Sequence, residues 1–196
     1  YLISPNKIAN NNFYNDLVKI FKSKKISFFQ LRLKNTKMKM KLQIGKKIKK
    51  ICKKFNVKFI INDDPLLTKK LNADGCHLGQ KDMGINEARK ILKNKIIGIT
   101  CHNSLKLAKI AITNNVDYIA FGAFNNSKTK KVTFRAKTST LLSIKKMTKI
   151  PIVAIGGINS KNYKKLLLNK ANFLAISGYI WNNKKYKPSE AIKKIK

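Results

Sequence analysis

Eight short apolar runs recur along this chain, and most are followed by a longer amphipathic run with lysine on its polar side. The apolar runs are Tyr1–Ser4, Ser27–Leu33, Lys58–Asn62, Gly75–Leu78, Ile96–Thr100, Tyr118–Gly122, Ile152–Ile155 and Phe173–Ser177. Several are apolar without alternation, the pattern of strands covered on both faces in a parallel sheet. Between them, residues 38–54 bring Met40, Ile44, Ile48, Ile51 and Phe55 to one side at helical steps, with lysine filling the other. Leu105, Ala108 and Ile112 repeat the pattern, as do Tyr163, Leu166 and Leu167. Asn103-Ser104 and Asn159-Ser160 precede these two runs as N-caps. Eight consecutive βα units predict an α/β chain closed into a (β/α)8 barrel. At 196 residues the chain lies at the short end for that fold, so one domain over residues 1–196 with few insertions is expected. A flavodoxin-like open sheet is the alternative, but that fold uses about five strands. One polar segment, 123–137, interrupts the rhythm after the sixth strand.

The chain carries 44 Lys and Arg against eight Asp and Glu, a formal net charge of +36. Such a charge attracts nucleic acid and anionic membranes. Yet only Arg32, Arg89 and Arg135 bring guanidinium, the group suited to bidentate reading of phosphates and bases. The lysines are spread over nearly every segment, so the charge reads as a solvated surface and no nucleic-acid partner is expected. No run of about 18 apolar residues exists, so no membrane span is expected either. Tyr1-Leu2-Ile3-Ser4 reads as a first strand and not as a signal peptide. Cys52, Cys76 and Cys101 form no CxxC pair and fit neither a disulfide framework nor a zinc site. They read as buried thiols in a reducing cytoplasm. A homo-oligomer is left open.

Four of the eight acids, Asp63, Asp64, Asp74 and Asp82, fall within twenty positions. They occupy Ile61-Asn62-Asp63-Asp64 and the stretch around Cys76-His77-Leu78-Gly79-Gln80-Lys81-Asp82, apolar runs that end in carboxylate. Mg²⁺ is held by one or two carboxylates plus substrate phosphates. A barrel of this kind places its site at the C-terminal ends of the strands. Those ends supply Gln30-Leu31-Arg32-Leu33-Lys34, with Gln30, Arg32 and Lys34 on one face. They also supply Asn62-Asp63, His77 through Asp82, Thr100-Cys101-His102, Ser127-Lys128-Thr129-Lys130, Gly156-Gly157 and Ile176-Ser177-Gly178. Two carboxylates, several cations, hydroxyls and glycines suit a phosphorylated substrate with Mg²⁺. Plainer uses exist for each. Asp63 is placed to cap the helix beginning near Pro65, and Gly156-Gly157 suits a turn. His77 and His102 suit buried, hydrogen-bonded roles, and Cys76 and Cys101 suit small core positions. Joint placement on one rim favours a site.

Together these motifs resemble the thiamine phosphate synthase family. The matching segments are Gln30 to Lys34, Asn62-Asp63, His77 to Asp82, Ser127 to Lys130, Ala154-Ile155-Gly156-Gly157-Ile158 and Ile176-Ser177, in family order over nearly the whole chain. The resemblance implies condensation of 4-amino-2-methyl-5-(diphosphooxymethyl)pyrimidine with a thiazole phosphate, giving thiamine phosphate and pyrophosphate. It implies Mg²⁺ on Asp63 and Asp82. It implies the pyrimidine pyrophosphate on Gln30, Arg32, Lys34, Asn62, Thr100 and Lys130, with Leu31 and Leu33 in the same run. It implies the thiazole phosphate on Ser127, Lys128, Thr129, Gly157, Ile176 and Ser177. Lys130, Arg32 and Lys34 are then the catalytic cations. The chain departs from the family at Thr100 and Ser127, which replace Ser and Thr, at Asn125-Asn126, which replaces an apolar-proline step, and at Asp64, where Arg is common. Two other readings stand beside this one: a thiazole tautomerase-like barrel leaning on His102, and a Lys-rich nucleic-acid-binding protein.

Overall fold

The strands bury both faces, but in two different cores. In the computed structural model, which describes residues 1–8, 10–126 and 132–195, strands and helices alternate throughout. The order is β1 (Leu2–Ile3), α1 (Asn12–Phe21), β2 (Phe28–Leu31), α2 (Met38–Lys54), β3 (Lys58–Asn62), α3 (Pro65–Leu71), β4 (Gly75–Leu78) and α4 (Ile85–Leu92). It continues through β5 (Ile96–Thr100), α5 (Leu105–Thr113), β6 (Tyr118–Phe121), α6 (Thr138–Met147), β7 (Ile152–Ile155), α7 (Tyr163–Leu168), β8 (Phe173–Ala175), α8 (Gly178–Trp181) and α9 (Pro188–Lys193). The strands pair in parallel in sequence order, and a bridge between Leu2 and Ile176 brings the last back to the first. There the Ile3 N–H donates to the Ile176 carbonyl at 2.9 Å and the Ile176 N–H to the Tyr1 carbonyl at 3.0 Å. The result is the expected (β/α)8 barrel. Among the described residues no helix is long and apolar enough to cross a membrane.

Alternation along the strands divides the side chains. Ile119, Phe121, Ile152, Ala154, Cys76 and Leu78 pack outward against the helices, in the larger core. Tyr1, Tyr118, Ala120, Val153 and Ala175 form a second cluster inside the barrel, joined by Phe28, Ile96 and Phe173. Gly98 makes room for the Tyr118 ring, because a Cβ there would stand 1.9 Å from the ring carbon Cζ. The three cysteines are buried and unpaired, as expected. Burial pushes the Cys76 and Cys101 thiols up to about 12, which keeps them protonated and inert.

β3, β4, β5 and β7 match the sequence reading to the residue. β2 is shorter than the predicted Ser27–Leu33. Beyond Leu31 its ladder is taken over by a side chain, with the Arg32 N–H donating to Ser4 Oγ at 2.9 Å. In α2 the buried stripe runs through Ile44, Ile48 and Cys52, while Met40, expected in that stripe, is 52% exposed. Ser104 caps α5, accepting the Leu107 N–H at 3.2 Å. The expected cap at Asn159-Ser160 is displaced: Asn162 stands at the N-cap of α7, and its Oδ1 accepts the Asn159 N–H at 2.9 Å.

At the N-terminal edge of the barrel a repeated device starts the strands. Asp74, just before β4, accepts the Phe59 N–H at 2.8 Å and returns its own N–H to the Phe59 carbonyl at 2.9 Å. Asp117 does the same to Ile97 before β6, and Asn172 to Ile152 before β8. Each side-chain oxygen replaces the carbonyl that would lie below the end of the ladder. Arg89 braces Asp117 at 2.8 Å. Asp74 is therefore at the opposite end from Asp63 and Asp82, and the sequence cluster of four acids splits.

Candidate active site

Asp63 leaves β3 in the left-handed region, with φ 64°, and its N–H donates to the His77 carbonyl at 2.8 Å. That turn separates it from its neighbour. Asp64, and not Asp63, caps α3: its Oδ1 accepts the Leu67 N–H at 2.8 Å. Asp63 is left for the barrel mouth, where its carboxyl lies close enough to that of Asp82 to be shifted by it. Asp82 is held by the loop after β4, its Oδ2 accepting the Gly79 N–H at 2.7 Å. Gln80 ties that loop to β5, donating to the Thr100 carbonyl at 2.6 Å.

The Asp63 carboxyl is pushed up to about 6. Partial loss of solvent is the first cause, and the hydrogen bond and charge of Asp82 add to it, against the charge of Arg32 and a hydrogen bond from Asn62. Two carboxyls so placed are a set that could hold a hard cation. Among the described residues no group of three or more His, Cys, Asp or Glu converges. A pair suits Mg²⁺, which completes its shell with water and phosphate oxygens.

The cations beside this pair are set by local contacts. The Arg32 guanidinium donates to Asn6 Oδ1 at 2.7 Å. Lys34 is exposed, its N–H reaching the Asn6 carbonyl at 3.3 Å. Gln30, Arg32 and Lys34 do not share a strand face, since β2 ends at Leu31. Gln30 is turned into the barrel, where its Nε2 donates to the Tyr1 hydroxyl at 2.9 Å. From there a buried polar chain crosses the interior. Tyr1 OH meets Tyr118 OH at 2.7 Å, Tyr118 OH meets His77 Nδ1 at 2.9 Å, and His77 Nε2 meets Thr100 Oγ1 at 2.8 Å. Burial pushes both phenols well up, so each keeps its proton.

Ser127, Lys128, Thr129 and Lys130 lie outside the described residues. The base of their loop is described. The Ala123 N–H donates to the Phe134 carbonyl at 2.8 Å, and the Ala136 N–H to the Ala123 carbonyl at 3.0 Å. Gly156 and Gly157 have φ of 94° and 63°, and a Cβ on them would stand 2.3 Å from the Ala123 Cβ and 2.2 Å from the Asn126 carbonyl oxygen. The glycine pair is thus required by the strand-six loop lying directly on it. The Ile176 N–H is committed to barrel closure, and Ser177 Oγ donates to the Ser4 carbonyl at 3.1 Å.

The thiamine monophosphate synthase family model matches residues 1–180. A thiamine-phosphate synthase of Pelagibacter ubique is 72% identical over 196 residues, covering 100% of this chain and 95% of that protein. One from Rhodospirillum centenum is 35% identical over 184 residues, covering 93% and 89%. The structure of a thiamine phosphate pyrophosphorylase from Pyrococcus furiosus superimposes with a TM-score of 0.87 at 25% identity, covering 100% of this chain and 92% of that one. The chain belongs to the thiamine monophosphate synthase family. The fold, the synthase function and the transferase class expected from the sequence all stand.

Within that family the departures now have locations. Asp64 spends its carboxylate on the α3 cap. Thr100 is bonded to His77. Asn125 and Asn126, in place of an apolar-proline step, are pinned otherwise: the Asn125 N–H donates to the Gly156 carbonyl at 3.2 Å, and Arg135 donates to Asn126 Oδ1. The His102 ring packs on Phe134 with centroids 4.3 Å apart, at the base of the same loop. Sequence reasoning missed Ser4 and Asn6, which hold Arg32, and Tyr1 and Tyr118, which complete the interior chain. The available signal was a tyrosine inside an apolar strand, whose hydroxyl requires a buried partner.

Proposed function

We propose that this synthase joins 4-amino-2-methyl-5-(diphosphooxymethyl)pyrimidine to a thiazole phosphate and releases pyrophosphate, with Mg²⁺ held by Asp63 and Asp82. The observation that carries the reading is the carboxyl pair at the mouth with Arg32 beside it, in a chain whose residues 1–180 match the family. Bound there, the metal supplies positive charge to a leaving pyrophosphate. The protein's own part is orientation and charge. Arg32, fixed by Asn6, and Lys34 face the departing anion, and the family resemblance adds Lys130 as a third cation. Heterolysis of the C–O bond needs no protein nucleophile. It needs the negative charge of the leaving group neutralised and the thiazole nitrogen held ready to capture the pyrimidine methylene carbon. Gln30, Asn62 and Thr100 hold the pyrimidine pyrophosphate. The family resemblance assigns the thiazole phosphate to Ser127, Lys128, Thr129, Gly157, Ile176 and Ser177, with Ile176 contributing through groups other than its committed N–H. The three unpaired thiols suit a reducing cytoplasm.

The test is pyrophosphate release by the purified chain given both substrates and Mg²⁺, with EDTA as control. Release that requires all three, with thiamine phosphate as product, is expected. A folded protein that releases none would overturn the reading.

A further inference from the structure

The interior chain has a direction. The Gln30 amide nitrogen is only a donor, so the Tyr1 oxygen receives from it. The Tyr1 oxygen has room to accept twice, but among the described residues the Tyr118 oxygen is the one acceptor in reach of the single Tyr1 proton; that proton placed there, the Tyr118 proton goes to His77 Nδ1. An imidazole nitrogen that accepts carries no proton, so His77 bears its proton on Nε2 and donates it to Thr100 Oγ1. The Thr100 hydroxyl proton is left over, at the C-terminal end of β5 where Gln80 ties in the loop that carries Asp82. Reversing any one link sets two protons or two lone pairs face to face in a closed interior, so the chain reverses as a unit or not at all.

We propose that Tyr1, Tyr118 and His77 are positioning residues: a one-way hydrogen-bond chain begun by the Gln30 amide fixes the Nε2–H tautomer of His77 and presents the Thr100 hydroxyl to the mouth as a donor, for an anionic oxygen. The ligand class is an acceptor such as a pyrophosphate oxygen. The inference deepens the synthase reading and rests on it for the identity of that ligand. Gly98 is part of the device, because it gives the Tyr118 ring its place between Tyr1 and His77.

The experiment uses the full chain labelled with ¹⁵N-histidine, its two histidines told apart with a His102→Asn variant. Long-range ¹H–¹⁵N correlations read the tautomer, and calorimetry with inorganic pyrophosphate and Mg²⁺ reads binding. The wild type is expected to show the Nε2–H tautomer alone. Tyr118→Phe keeps the ring and removes one oxygen. It is expected to give mixed tautomers and a Kd for pyrophosphate raised about threefold to tenfold, within the range of one lost hydrogen bond. Thr100→Val should raise Kd similarly, with no further rise in the double variant. An Nδ1–H wild type overturns the proposal, and no variant is needed to see it. So does a Tyr118→Phe protein in which either reading stays put. Expected tautomers and affinities in a chain that fails to release pyrophosphate from the two substrates would sink the synthase reading alone.

Discussion

Gly98→Ala adds one methyl where the Tyr118 ring crosses the barrel interior. The new Cβ would lie 1.9 Å from Cζ and 2.3 Å from both Cε atoms, so the ring must move. Gly98 does not occupy the left-handed region, so the backbone accepts alanine, and Gly→Ala in a strand otherwise gains about 0.5–1 kcal/mol. Against that gain, overpacking costs about 1–3 kcal/mol. A displaced ring also gives up its bonds to Tyr1 at 2.7 Å and His77 at 2.9 Å. Each such bond contributes about 1 kcal/mol net, and more if a partner is left unsatisfied. The balance is a destabilisation of about 2–5 kcal/mol. Urea unfolding with an unchanged m-value measures it. The decisive comparison is Gly98→Ala in a Tyr118→Leu background. With the ring gone the methyl has room, and its added cost should fall below about 1 kcal/mol. An equal cost in both backgrounds, or a neutral Gly98→Ala alone, would refute the argument.

Asp63→Ala or Asp82→Ala should abolish Mg²⁺-dependent pyrophosphate release with an unchanged circular dichroism spectrum; normal turnover in either would remove that residue from the metal site. Asp64→Ala should cost about 1 kcal/mol of stability through the lost cap and leave kcat within twofold, since its carboxylate is bonded to the Leu67 N–H; a collapse in turnover would return Asp64 to the site. The Asp63 carboxyl stands at about 6 in the fold against an ordinary 3.8, so the folded form binds its proton more tightly than the unfolded chain. Its contribution to metal-free stability is therefore full below about pH 4 and is lost as pH rises to about 6. Urea midpoints of wild type against Asp63→Asn across that window should show the wild type losing ground, with Mg²⁺ at pH 7 closing the gap; a wild type that gains ground would contradict the assigned shift.

The strands were legible where an apolar run meets a polar or glycine boundary, as at Lys58–Asn62 and Ile152–Ile155. β2 was overread because Arg32 continues an alternation that only a tertiary contact, the Ser4 hydroxyl, interrupts. The pairing of Asp63 with Asp82 was legible because a chain poor in acids puts carboxylates at two strand ends. The choice between Asp63 and Asp64 as helix cap was not, since it turns on the left-handed φ of Asp63 and on which neighbour then meets the Leu67 N–H. Tyr1 and Tyr118 stayed hidden for another reason. In strands apolar on both faces, nothing in the pattern says which residues point to the barrel axis.

The three fasteners along the lower edge, at β3–β4, β5–β6 and β7–β8, divide the labour of the molecule. They make the sheet a set of two-strand modules locked at the end remote from the mouth. Strand ends and loops at the mouth are then free to exchange residues, as Thr100, Asp64 and Asn125-Asn126 do, without loosening the frame beneath. They also mark where a drift of composition toward lysine has to stop. At Asp74 and Asp117 a cation would face the main-chain N–H groups of Phe59 and Ile97 instead of accepting from them. The sparse acids of this chain thus mark its joints as well as its chemistry.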